Sequence, residues 1–400
     1  MKAIILAAGE GNRMRPLTYT RPKVMLPLAN RPIVEHLLTE AIKAGITEFI
    51  FVVGYHEEQV RDYFGDGKNW KVDIKYCTQR KQLGTADAVR MVEGSIDGNV
   101  LLMNGDNILM SHDIRKVMET GTPTIAIIEV KDTRDLGVIE LGGDRVVRIH
   151  EKTEKPPSHW VNAGAYLLAP EVYSAITRTP KSRRGEYEIT DSLQLMIDEG
   201  QHIHYQQISH WLNLSYPWDL LPANEYLLKS IEAQNLGQVE DNVVMKGKVS
   251  IGNNTIVRSG SYIIGPVIIG QNCDIGPNCY IRPHTSIGDG CHIGSAVEVK
   301  NSIIMKGSKI PHHNYVGDSI IGEDCNLGAG TKIANLRLDK KSIIAAGVNT
   351  GRRKLGAIMG DRVETGVNAC INVGTVIGNN THIGPGAIAS GVILPDSRLL

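Results

Sequence analysis

The opening loop of the chain carries residue types that suit phosphate binding. Gly9 and Gly11 follow the apolar run KAIILAA, and Arg13 and Lys23 come shortly after them. Glycine lets backbone N–H groups approach an anion closely, and the cations add positive charge. A dinucleotide fingerprint would need glycine in place of Met14, and no GxxxxGK[ST] motif of a P-loop occurs. The loop indicates a triphosphate site, with an ordinary strand-to-helix turn as the alternative.

Alternating strands and helices must position this loop. KAIILAA, EFIFVVGY, NVLLMNGD and PTIAIIEV read as strands, and IVEHLLTEAIKAG reads as an amphipathic helix closed by Gly45. This alternation predicts an α/β, Rossmann-like domain with a largely parallel sheet. Ligands bind beyond the carboxyl ends of such strands, where the glycine loop and the NGD segment both lie.

A period of six residues takes over after residue 250. The spacing places an aliphatic residue at Ile251, Val257, Ile263, Ile269, Ile275, Ile281, Ile287, Ile293, Val299 and Met305. It returns at Ile321, Leu327, Ile333, Ile371, Ile377 and Ile383. Hexads with an inward aliphatic residue and turn glycines are typical of a parallel β-helix, here expected to be left-handed and about 18 residues per coil.

The predicted organisation has three parts. Residues 1–221 form the α/β domain, residues 222–240 a connector, and residues 241–400 the β-helix. Pro222 to Asn235 read as the connector helix.

Composition restricts the class of protein. The 400 residues include 43 Lys and Arg against 43 Asp and Glu, which gives no support for binding nucleic acid or a membrane surface. No signal peptide and no apolar run of about 18 residues is found, so a soluble cytoplasmic protein is expected. The cysteines form no CxxC pair. Four of them fill small hexad positions and are predicted to pack the core: Cys273, Cys279, Cys291 and Cys325.

Several N-terminal motifs together resemble one enzyme family. LAAGEGNRMRPLTYTRPK resembles the signature LAAGxGxRxxPLT…PK of sugar-1-phosphate nucleotidyltransferases. QRKQLGTADAV resembles the family's base-recognition segment and NGDN its metal-binding strand end, and LGVIEL, HEKTEKP, NAGAYLL and YPWDLL follow in the family's order. The resemblance implies that a sugar phosphate oxygen attacks the α-phosphorus of a nucleoside triphosphate and pyrophosphate leaves. Such transfer needs positioning and charge neutralisation.

The resemblance also implies residue roles. Arg13 and Lys23 would be catalytic cations on the phosphates. Nucleotide contacts would come from Ala8, Gly9, Gly11, Gln79, Gly84 and Thr85. Sugar contacts would come from Gly137, Glu151 and Asn162. Mg²⁺, which prefers oxygen ligands, would be held by Asp106 and Asp219. Asp219 also reads as a helix N-cap before LLPANEYLL. UTP and dTTP both remain open as the nucleotide.

The hexads break after Met305, at KIPHHNYVGDS, and a break in a solenoid is where function is usually displayed. Residues 270–350 resemble the acetyltransferase domain of the bifunctional glucosamine-1-phosphate acetyltransferase/N-acetylglucosamine-1-phosphate uridyltransferase family. The family segment H-x-x-Y-[LV]-G-D falls on His312 to Tyr315. YPWDLL and GRRKLGAIMGD resemble the archaeal-type branch.

This second resemblance implies a chemistry in which His312 takes a proton from the sugar amine as the amine attacks the acetyl-CoA thioester. His313 is the adjacent rival base. The sugar phosphate would be fixed by Arg282, Lys300 and Tyr315, the last with an aromatic cap on the prism as the alternative. Amine, thioester and CoA would be met by Asn326, Asn335 and Lys341. Glucosamine and galactosamine phosphates both remain open.

Three hypotheses follow. The first is a bifunctional enzyme that acetylates glucosamine 1-phosphate and uridylylates the product, with Mg²⁺, UTP and acetyl-CoA, as a homotrimer that shares the CoA pocket. The second is a single-activity nucleotidyltransferase for glucose or mannose 1-phosphate with a structural β-helix. The third is a noncatalytic regulatory subunit, against which the retained Arg13, Lys23 and Asp106 argue.

Overall fold

The computed structural model describes residues 1–134, 136–151 and 156–400. Contacts within the chain divide it into two compact units. The first unit comprises Met1–Glu10, Arg21–Met25 and Ile33–Asn213. The second comprises Gly11–Thr20, Leu26–Pro32 and Leu214–Leu400. Two short N-terminal segments therefore pack with the C-terminal part of the chain. A single boundary along the sequence does not describe this division.

A mixed sheet forms the centre of the first unit. Within the described residues it has nine strands, numbered here in chain order. They are β1 (Lys2–Ala7), β2 (Glu48–Val53), β3 (Asp73–Thr78), β4 (Val100–Asn104), β5 (Thr124–Glu129), β6 (Gly137–Gly142), β7 (Arg145–Glu151), β8 (Trp160–Leu168) and β9 (Ile203–Gln207). The spatial order is β3-β2-β1-β4-β8-β5-β9-β7-β6, and β8 also pairs with β6.

The sheet is parallel in the part from which the glycine loop (residues 8–13) leaves β1. β3, β2, β1 and β4 run in one direction, whereas β8 is antiparallel to both β4 and β5. In β1, Ile4 and Ile5 are fully buried in core clusters on opposite faces of the sheet. A strand covered on both faces reads as a continuous apolar run, which explains why KAIILAA shows no alternation.

Helices cover the sheet, and one further helix belongs to the second unit. They are α1 (Ile33–Lys43), α2 (Glu57–Phe64), α3 (Thr85–Arg90), α4 (Ser111–Glu119), α5 (Val172–Arg178), α6 (Ile189–Asp198) and, in the second unit, α7 (Leu220–Leu228). Short 3-10 turns lie at Asn12–Met14, Lys23–Met25, Lys68–Trp70, Glu93–Ser95 and Pro217–Asp219. Within the described ranges, no helix is both long and apolar enough to cross a bilayer.

The second unit contains a left-handed parallel β-helix with three faces. Face 1 has the strands Gln234–Asn235, Val249–Ile251, Val267–Ile269, Thr285–Ile287, Ile303–Ile304, Ile320–Ile321, Ile358–Met359, Val376–Ile377 and Val392–Ile393. Face 2 has Gln238–Val239, Ile256–Val257, Asp274–Ile275, His292–Ile293, Lys309–Ile310, Asn326–Leu327, Glu364–Thr365, His382–Ile383 and Arg398–Leu399. Face 3 has Val244–Lys246, Tyr262–Ile264, Tyr280–Ile281, Glu298–Lys300, Tyr315–Gly317, Lys332–Ile333, Cys370–Ile371 and Ile388–Ala389.

The hexad pattern correctly predicts the prism core with one exception. The aliphatic residues from Ile251 to Val299 all lie in one buried cluster. The prediction for Met305 is wrong, because Ile304 occupies that core position and pairs with Ile287 on face 1. The coil from Ile287 to Ile304 is one residue shorter than the coil before it, and in an extended strand a shift of one residue turns the side chain to the other face.

The predicted connector helix is also too long. α7 ends at Leu228, and Gln234–Asn235 already pair with Ser250 and Ile251 as the first strand of face 1. Helix-forming composition continues through KSIEAQN, but pairing with the next coil satisfies the backbone of these last residues instead. The segment 222–240 is therefore partly helix and partly first coil.

A long insertion interrupts the coils. After Lys332–Ile333 the chain leaves the prism, and Ile358–Met359 resumes face 1. Within this 334–357 insertion, Ile344–Ala345 and Val348–Asn349 form an antiparallel ladder. The insertion accounts for the loss of hexad spacing that the sequence shows at GVNTGRRKLGAIMGD.

The N-terminal segments of the second unit are fastened to the prism by hydrogen bonds. The buried Asn224 side chain on α7 accepts from the Ala29 N–H at 2.8 Å and from the Ser286 hydroxyl at 2.7 Å. Asn30 Nδ2 donates to the Ile287 carbonyl at 2.7 Å. Thr20 Oγ1 donates to the buried Asp361 carboxylate at 2.5 Å.

The four hexad cysteines are core residues, as predicted. All four are free thiols and buried. Burial raises the pKa of Cys273, Cys279 and Cys291, and raises the pKa of Cys325 to about 12. Because the thiolate is the reactive form, these thiols are unreactive for two reasons: burial keeps reagents away, and the raised pKa keeps them protonated.

We therefore expect the four core cysteines to react with a thiol reagent only after unfolding. Titration of the native protein should label the exposed Cys370 and, more slowly, the half-buried Cys77, whereas denaturant should release the four core thiols in a cooperative step. A Cys370→Ser variant provides the control, because it should lose only the fast label of the native state. Labelling of Cys325 in the native protein would contradict the prism core described above.

Candidate active sites

In the first unit, Lys23 and Asp106 form an ion pair at the carboxyl end of the sheet. Asp106 follows β4 after Gly105, whose N–H donates to the Leu6 carbonyl at 2.9 Å. A Cβ atom on Gly105 would lie 2.6 Å from that carbonyl, so only glycine lets the strand end approach β1 this closely. The Asp106 side chain is 35% exposed, which leaves its oxygens accessible to a ligand.

The two glycines of the loop differ in their surroundings and in their backbone conformation. A Cβ atom on Gly9 would meet nothing within 4 Å, so the space before it is open. Gly11 has a φ of 73°, and its carbonyl accepts a hydrogen bond from Thr18 Oγ1 at 3.0 Å. Gly11 and Arg13 belong to the second unit, where the Arg13 guanidinium lies 5.6 Å from the centre of the Tyr216 ring.

Gly9→Ala is expected to leave stability unchanged and to weaken nucleotide binding. No protein atom resists the methyl group, whereas a phosphate brought against the Gly9 backbone would meet it. We expect a raised KM for the nucleoside triphosphate, by about tenfold or more for a clash worth about 1.4 kcal/mol or more, with an unchanged melting temperature.

Gly94→Ala is the matched control for Gly9→Ala. Gly94 also has open space for a methyl group, its φ is not left-handed, and it lies in the 3-10 turn Glu93–Ser95 of the same unit. An unchanged KM in Gly9→Ala would contradict the assignment of this loop to phosphate.

The segment predicted to recognise the base, residues 79–89, packs beside the glycine loop. The Ala8 carbonyl accepts from Tyr55 N at 3.1 Å and from Gln82 Nε2 at 2.9 Å. Gln79 is buried, and its Nε2 donates to the Gly84 carbonyl at 3.0 Å and to Asp87 Oδ2 at 2.9 Å. This orientation leaves Gln79 Oε1 as the atom to accept a base N–H. The motif reasoning assigned no role to Gln82 or Asp87.

Gly84 and Thr85 stabilise the start of α3. Gly84 has a φ of 111°, and a side chain there would collide with the Tyr187 backbone. Thr85 Oγ1 accepts from Ile189 N at 2.9 Å, which ties α3 to α6. Both residues are half-buried, and the Gly84 carbonyl accepts from Gln79 Nε2 as well as from Ala88 N at 3.2 Å.

The three predicted sugar contacts lie together. A Cβ atom on Gly137 would lie 3.1 Å from Glu151 Oε1 and 3.7 Å from Asn162 Cβ. Glu151 Oε1 also accepts from Thr190 Oγ1 at 3.0 Å, and Asn162 Nδ2 donates to the Tyr166 hydroxyl at 2.6 Å. Residues 152–155 of the HEKTEKP motif lie outside the described residues.

Two asparagines beside this group were missed by the motif reasoning. Asn104 and Asn107 flank Asp106 and face Gly164 on β8, where any side chain would collide with both amides. Asn107 Nδ2 donates to the Ala163 carbonyl at 2.6 Å. Their amides hold the end of β4 against β8. The sequence signal was the NGDN segment itself, but only its aspartate received a role.

A cleft of about 600 Å³ opens next to Glu151. It is lined mainly by charged residues, among them Lys181, Arg183, Arg184, Glu188, Asp191 and Asp198. Arg184 pairs with Glu188 and lies 3.7 Å from Glu151 Oε2. Burial and the neighbouring carboxylates of Glu188 and Glu151 raise the pKa of Asp191. The cleft extends the sugar-contact region with both signs of charge.

Asp219 lies in the second unit and caps a turn. Its Oδ2 accepts from Ser215 N at 2.9 Å and from Tyr216 N at 2.7 Å. This side chain closes the 3-10 turn Pro217–Asp219 and makes no cap hydrogen bond to α7. Asp219 therefore occupies the N-cap position of α7, as the alternative has it, although its carboxylate caps the preceding turn and not the helix. The metal-ligand role stays a prediction.

A second polar group lies on face 3 of the β-helix. Parallel register places Tyr280, Glu298 and Tyr315 in one column. Arg282 Nη1 donates to Glu298 Oε1 at 2.8 Å, and this carboxylate raises the pKa of Arg282. Burial, followed by the charges of Glu298 and Asp318, raises the pKa of Tyr315.

Asp318 is the centre of this group, although the motif reasoning gave it no role. Its Oδ2 accepts from Lys300 Nζ at 3.0 Å and from Asn335 Nδ2 at 2.5 Å, and its Oδ1 accepts from Asn301 Nδ2 at 2.7 Å. Asn335 Nδ2 also lies 3.2 Å from the Tyr315 hydroxyl. Among the described residues, Asn301 Oδ1 is one of the buried side-chain oxygens that accept no hydrogen bond.

The two histidines occupy the turn between face 2 and face 3. His312 and His313 are both exposed, and their ring centres lie 6.0 Å apart. The His312 carbonyl accepts from Gly330 N at 3.2 Å, and the His313 carbonyl accepts from Lys332 Nζ. The structure therefore fixes both backbones and leaves both imidazoles in solvent.

Asn326 and Lys341 lie apart from the Asp318 group. Asn326 is exposed on face 2, paired in register with Lys309 and Glu364, whereas Tyr315 is on face 3. Lys341 is exposed in the 334–357 insertion, and its N–H donates to Asp339 Oδ1 at 3.1 Å. Of the predicted acetyltransfer residues, Arg282, Lys300, Tyr315 and Asn335 are brought together, and these two are not.

One basic residue of the insertion, Arg352, lies near acidic side chains of the second unit. Burial lowers the pKa of Arg352, and the carboxylates of Asp318, Asp219 and Glu225 partly oppose this effect. Arg352 Nε donates to the Lys354 carbonyl at 3.3 Å. Arg352 is a half-buried cation that the motif reasoning did not single out.

Family models match both parts of the chain. A model described as Nucleotidyl transferase matches residues 2–230, and one described as GMPPB C-terminal domain matches residues 263–399. A solved Bacillus anthracis structure described as a glucose-1-phosphate thymidylyltransferase is similar with a TM-score of 0.53 and 29% identity. It covers 59% of this chain and 98% of that one.

Curated relatives match nearly the full length. Bifunctional protein GlmU of Methanococcus maripaludis is 38% identical over 393 residues, covering 96% of this chain and 93% of the relative. A bifunctional sugar-1-phosphate nucleotidylyltransferase/acetyltransferase of Sulfurisphaera tokodaii is 39% identical over 398 residues, covering 98% and 97%. Bifunctional protein GlmU of Methanocaldococcus jannaschii is 39% identical over 389 residues, covering 96% and 93%.

Proposed function

Because the chain belongs to the archaeal-type family of bifunctional sugar-1-phosphate nucleotidylyltransferase/acetyltransferases and is an enzyme, we propose that it carries out both reactions on an amino sugar. It acetylates glucosamine 1-phosphate with acetyl-CoA, and it transfers a uridylyl group from UTP to N-acetylglucosamine 1-phosphate. The products are UDP-N-acetylglucosamine and pyrophosphate. The observation that carries this proposal is that each unit holds its own polar group, Lys23 with Asp106 and the Asp318 group.

The nucleotidyl transfer half works by positioning. Ala8 and Gly9 present backbone to the triphosphate, Gln79 and the Gly84 backbone meet the pyrimidine, and Lys23 neutralises phosphate charge as pyrophosphate leaves. The set at Gly137, Glu151 and Asn162 orients the sugar. Arg13 is assigned a second cationic role on the phosphates.

Mg²⁺ fits the oxygen chemistry of Asp106. The carboxylate stands at a strand end, is partly exposed, and is paired with a lysine that a phosphate oxygen can attract away. When bound, Mg²⁺ supplies charge neutralisation on the phosphate oxygens. The role of Asp219 as a second metal ligand stays a prediction, and its Oδ2 already accepts hydrogen bonds from the Ser215 and Tyr216 backbone N–H groups.

In the acetyl transfer half, His312 is assigned as the base, and the cationic and amide side chains of the Asp318 group are assigned to the sugar phosphate and the amine. His312 takes a proton from the sugar amine as the amine nitrogen bonds to the thioester carbonyl carbon, and the C–S bond then breaks to release CoA thiol. Arg282, Lys300 and Tyr315 hold the sugar phosphate in this proposal. Asn335 lies within hydrogen-bond distance of both Tyr315 and Asp318, where it can orient the amine.

A homotrimer is part of the proposal. Asn326 lies on face 2 and the Asp318 group on face 3 of the same prism. A reaction that uses both therefore gains from a face 2 supplied by a neighbouring subunit, with Lys341 of the exposed insertion at the CoA. Sedimentation should show a trimer, and a monomer that retains acetyl transfer would contradict a shared site.

Two assays test the proposed function. One measures CoA thiol release from acetyl-CoA with glucosamine 1-phosphate, and the other measures pyrophosphate release from UTP with N-acetylglucosamine 1-phosphate and Mg²⁺. Both should be positive. Pyrophosphate release without thiol release would favour the single-activity nucleotidyltransferase, and galactosamine 1-phosphate and dTTP tested in parallel decide the sugar and the nucleotide.

A further inference from the structure

A cluster of two histidines and an aspartate joins the start of α4 to the loop after β9. His112 and Asp113 lie in the first turn of α4, and Ser209 and His210 follow β9. One possible metal-ligating atom from each of His112, Asp113 and His210 lies within 4.8 Å of the other two. All four residues belong to the first unit, and none has a role in either proposed reaction.

The Ser209 hydroxyl lies at the centre of the cluster. It is 2.8 Å from His112 Nε2, 2.9 Å from His210 Nδ1 and 3.0 Å from each oxygen of Asp113. His112 Nε2 lies 3.4 Å from Asp113 Oδ1. A hydroxyl has one proton to donate, which the Asp113 carboxylate accepts, so both imidazoles turn an N–H toward Ser209.

Asp113 is held rigidly, whereas the histidines are open to solvent. The Asp113 side chain is 1% exposed, and its two oxygens accept from the Ser209 and His210 backbone N–H groups at 3.0 and 3.1 Å. The His112 side chain is 49% exposed. A carboxylate oriented by outer hydrogen bonds, next to two accessible imidazoles, is a common arrangement for a metal ligand set.

The donor set suits zinc. Two imidazole nitrogens and one carboxylate oxygen are ligands that Zn²⁺ accepts at about 2.0–2.2 Å, leaving a fourth position for water. Ligand atoms of a tetrahedral site with such bonds lie roughly 3.3 Å apart, so small rotations of the exposed imidazoles bring the three atoms into range. Binding replaces the N–H groups by lone pairs, and it therefore releases protons.

We propose that His112, Asp113 and His210 bind a Zn²⁺ ion that fastens α4 to the loop after β9. An isolated β-bridge between Leu212 and Ile108 also joins this loop to the segment after β4. Ile108 lies two residues after Asp106. The ion would therefore stabilise the segment that follows the proposed magnesium ligand, without taking part in the chemistry. This proposal rests on the cluster alone and stands apart from the proposed function.

The test uses the tag-free full chain, stripped with a chelator. Zn²⁺ should bind saturably by calorimetry, and Co²⁺ should give the visible absorption of a low-symmetry site with nitrogen and oxygen ligands. The double variant His112→Ala, His210→Ala should bind Zn²⁺ at least about 100-fold more weakly. Zn²⁺ should raise the melting temperature of the wild type and leave that of the double variant unchanged.

His382→Ala is the matched control, because His382 is an exposed histidine beside a carboxylate, Glu364, on the β-helix. It should bind Zn²⁺ like the wild type. Far-UV circular dichroism confirms that the double variant is folded, and the single variant His210→Ala, an exposed position, repeats the test if it is not. Equal Zn²⁺ affinity in the folded variants and the wild type, or binding that does not saturate, would overturn the proposal.

Discussion

Asp106→Asn should reduce pyrophosphate release by at least about 100-fold, because a metal on phosphoryl oxygens contributes several kcal/mol to such a transfer. The change removes the negative charge and keeps the size of the side chain, so the fold of the strand end is retained. CoA thiol release from the same preparation should be unchanged, since the Asp318 group belongs to the other unit. Both rates are measured on one purified sample.

The matched control is Asp97→Asn. Asp97 is an aspartate of the same unit that pairs with Lys2, and its side chain is 95% exposed. Its loss should change neither rate. If Asp106→Asn keeps the wild-type rate of pyrophosphate release, then Asp106 does not hold the ion, and the ion pair with Lys23 is structural only.

His312→Ala should reduce CoA thiol release by about 10²–10⁴-fold, the usual contribution of a general base. The exposed imidazole supports no packing, so the melting temperature should not change. Pyrophosphate release with N-acetylglucosamine 1-phosphate supplied should be unaffected. The measurement is kcat for thiol release over a range of pH.

His313→Ala separates the two adjacent candidates. Both rings are exposed and 6.0 Å apart, so the variants are matched in position and in loss of packing. His313→Ala should keep most of the thiol release. A reversed result, with full activity in His312→Ala and loss in His313→Ala, would move the base to His313.

The prism was predictable because its pattern is local and repeated. Each hexad forms one face of a coil, and the next coil repeats the same side-chain directions. An error in assigning one hexad therefore does not carry over to the others. The prediction failed where length changed. The coil ending at Ile304 lacks one residue, and hydrophobicity alone does not distinguish Ile304 from Met305, since both are buried.

The helix predicted to reach Asn235 failed for a related reason. The helix propensity of residues 229–235 is too weak to prevent pairing with an available strand. The first coil of the β-helix begins at Gln234–Asn235, where the backbone groups pair with the second coil. Such a boundary depends on tertiary pairing and carries little local signal.

Motifs located several site residues but not the residues that hold them. Lys23 and Asp106, 83 positions apart, were predicted together and form an ion pair. Asp318 was part of a quoted motif, yet its three side-chain partners come from the preceding coil and from the insertion, which no spacing rule joins. The position of Asn326 on another face likewise follows from the coil geometry and not from its neighbours in sequence.

The attachment of residues 11–32 has a consequence for how this polypeptide could have arisen or be divided. Thr20 depends on Asp361, and Ala29 and Asn30 depend on Asn224 and on the coil around Ile287. A gene cut after codon 213 would yield a fragment whose N-terminal loop has lost its hydrogen-bonding support. The two catalytic halves can therefore not be exchanged independently. A β-helix taken from another protein would need hydrogen-bond acceptors that match Asp361, Asn224 and the Ile287 carbonyl.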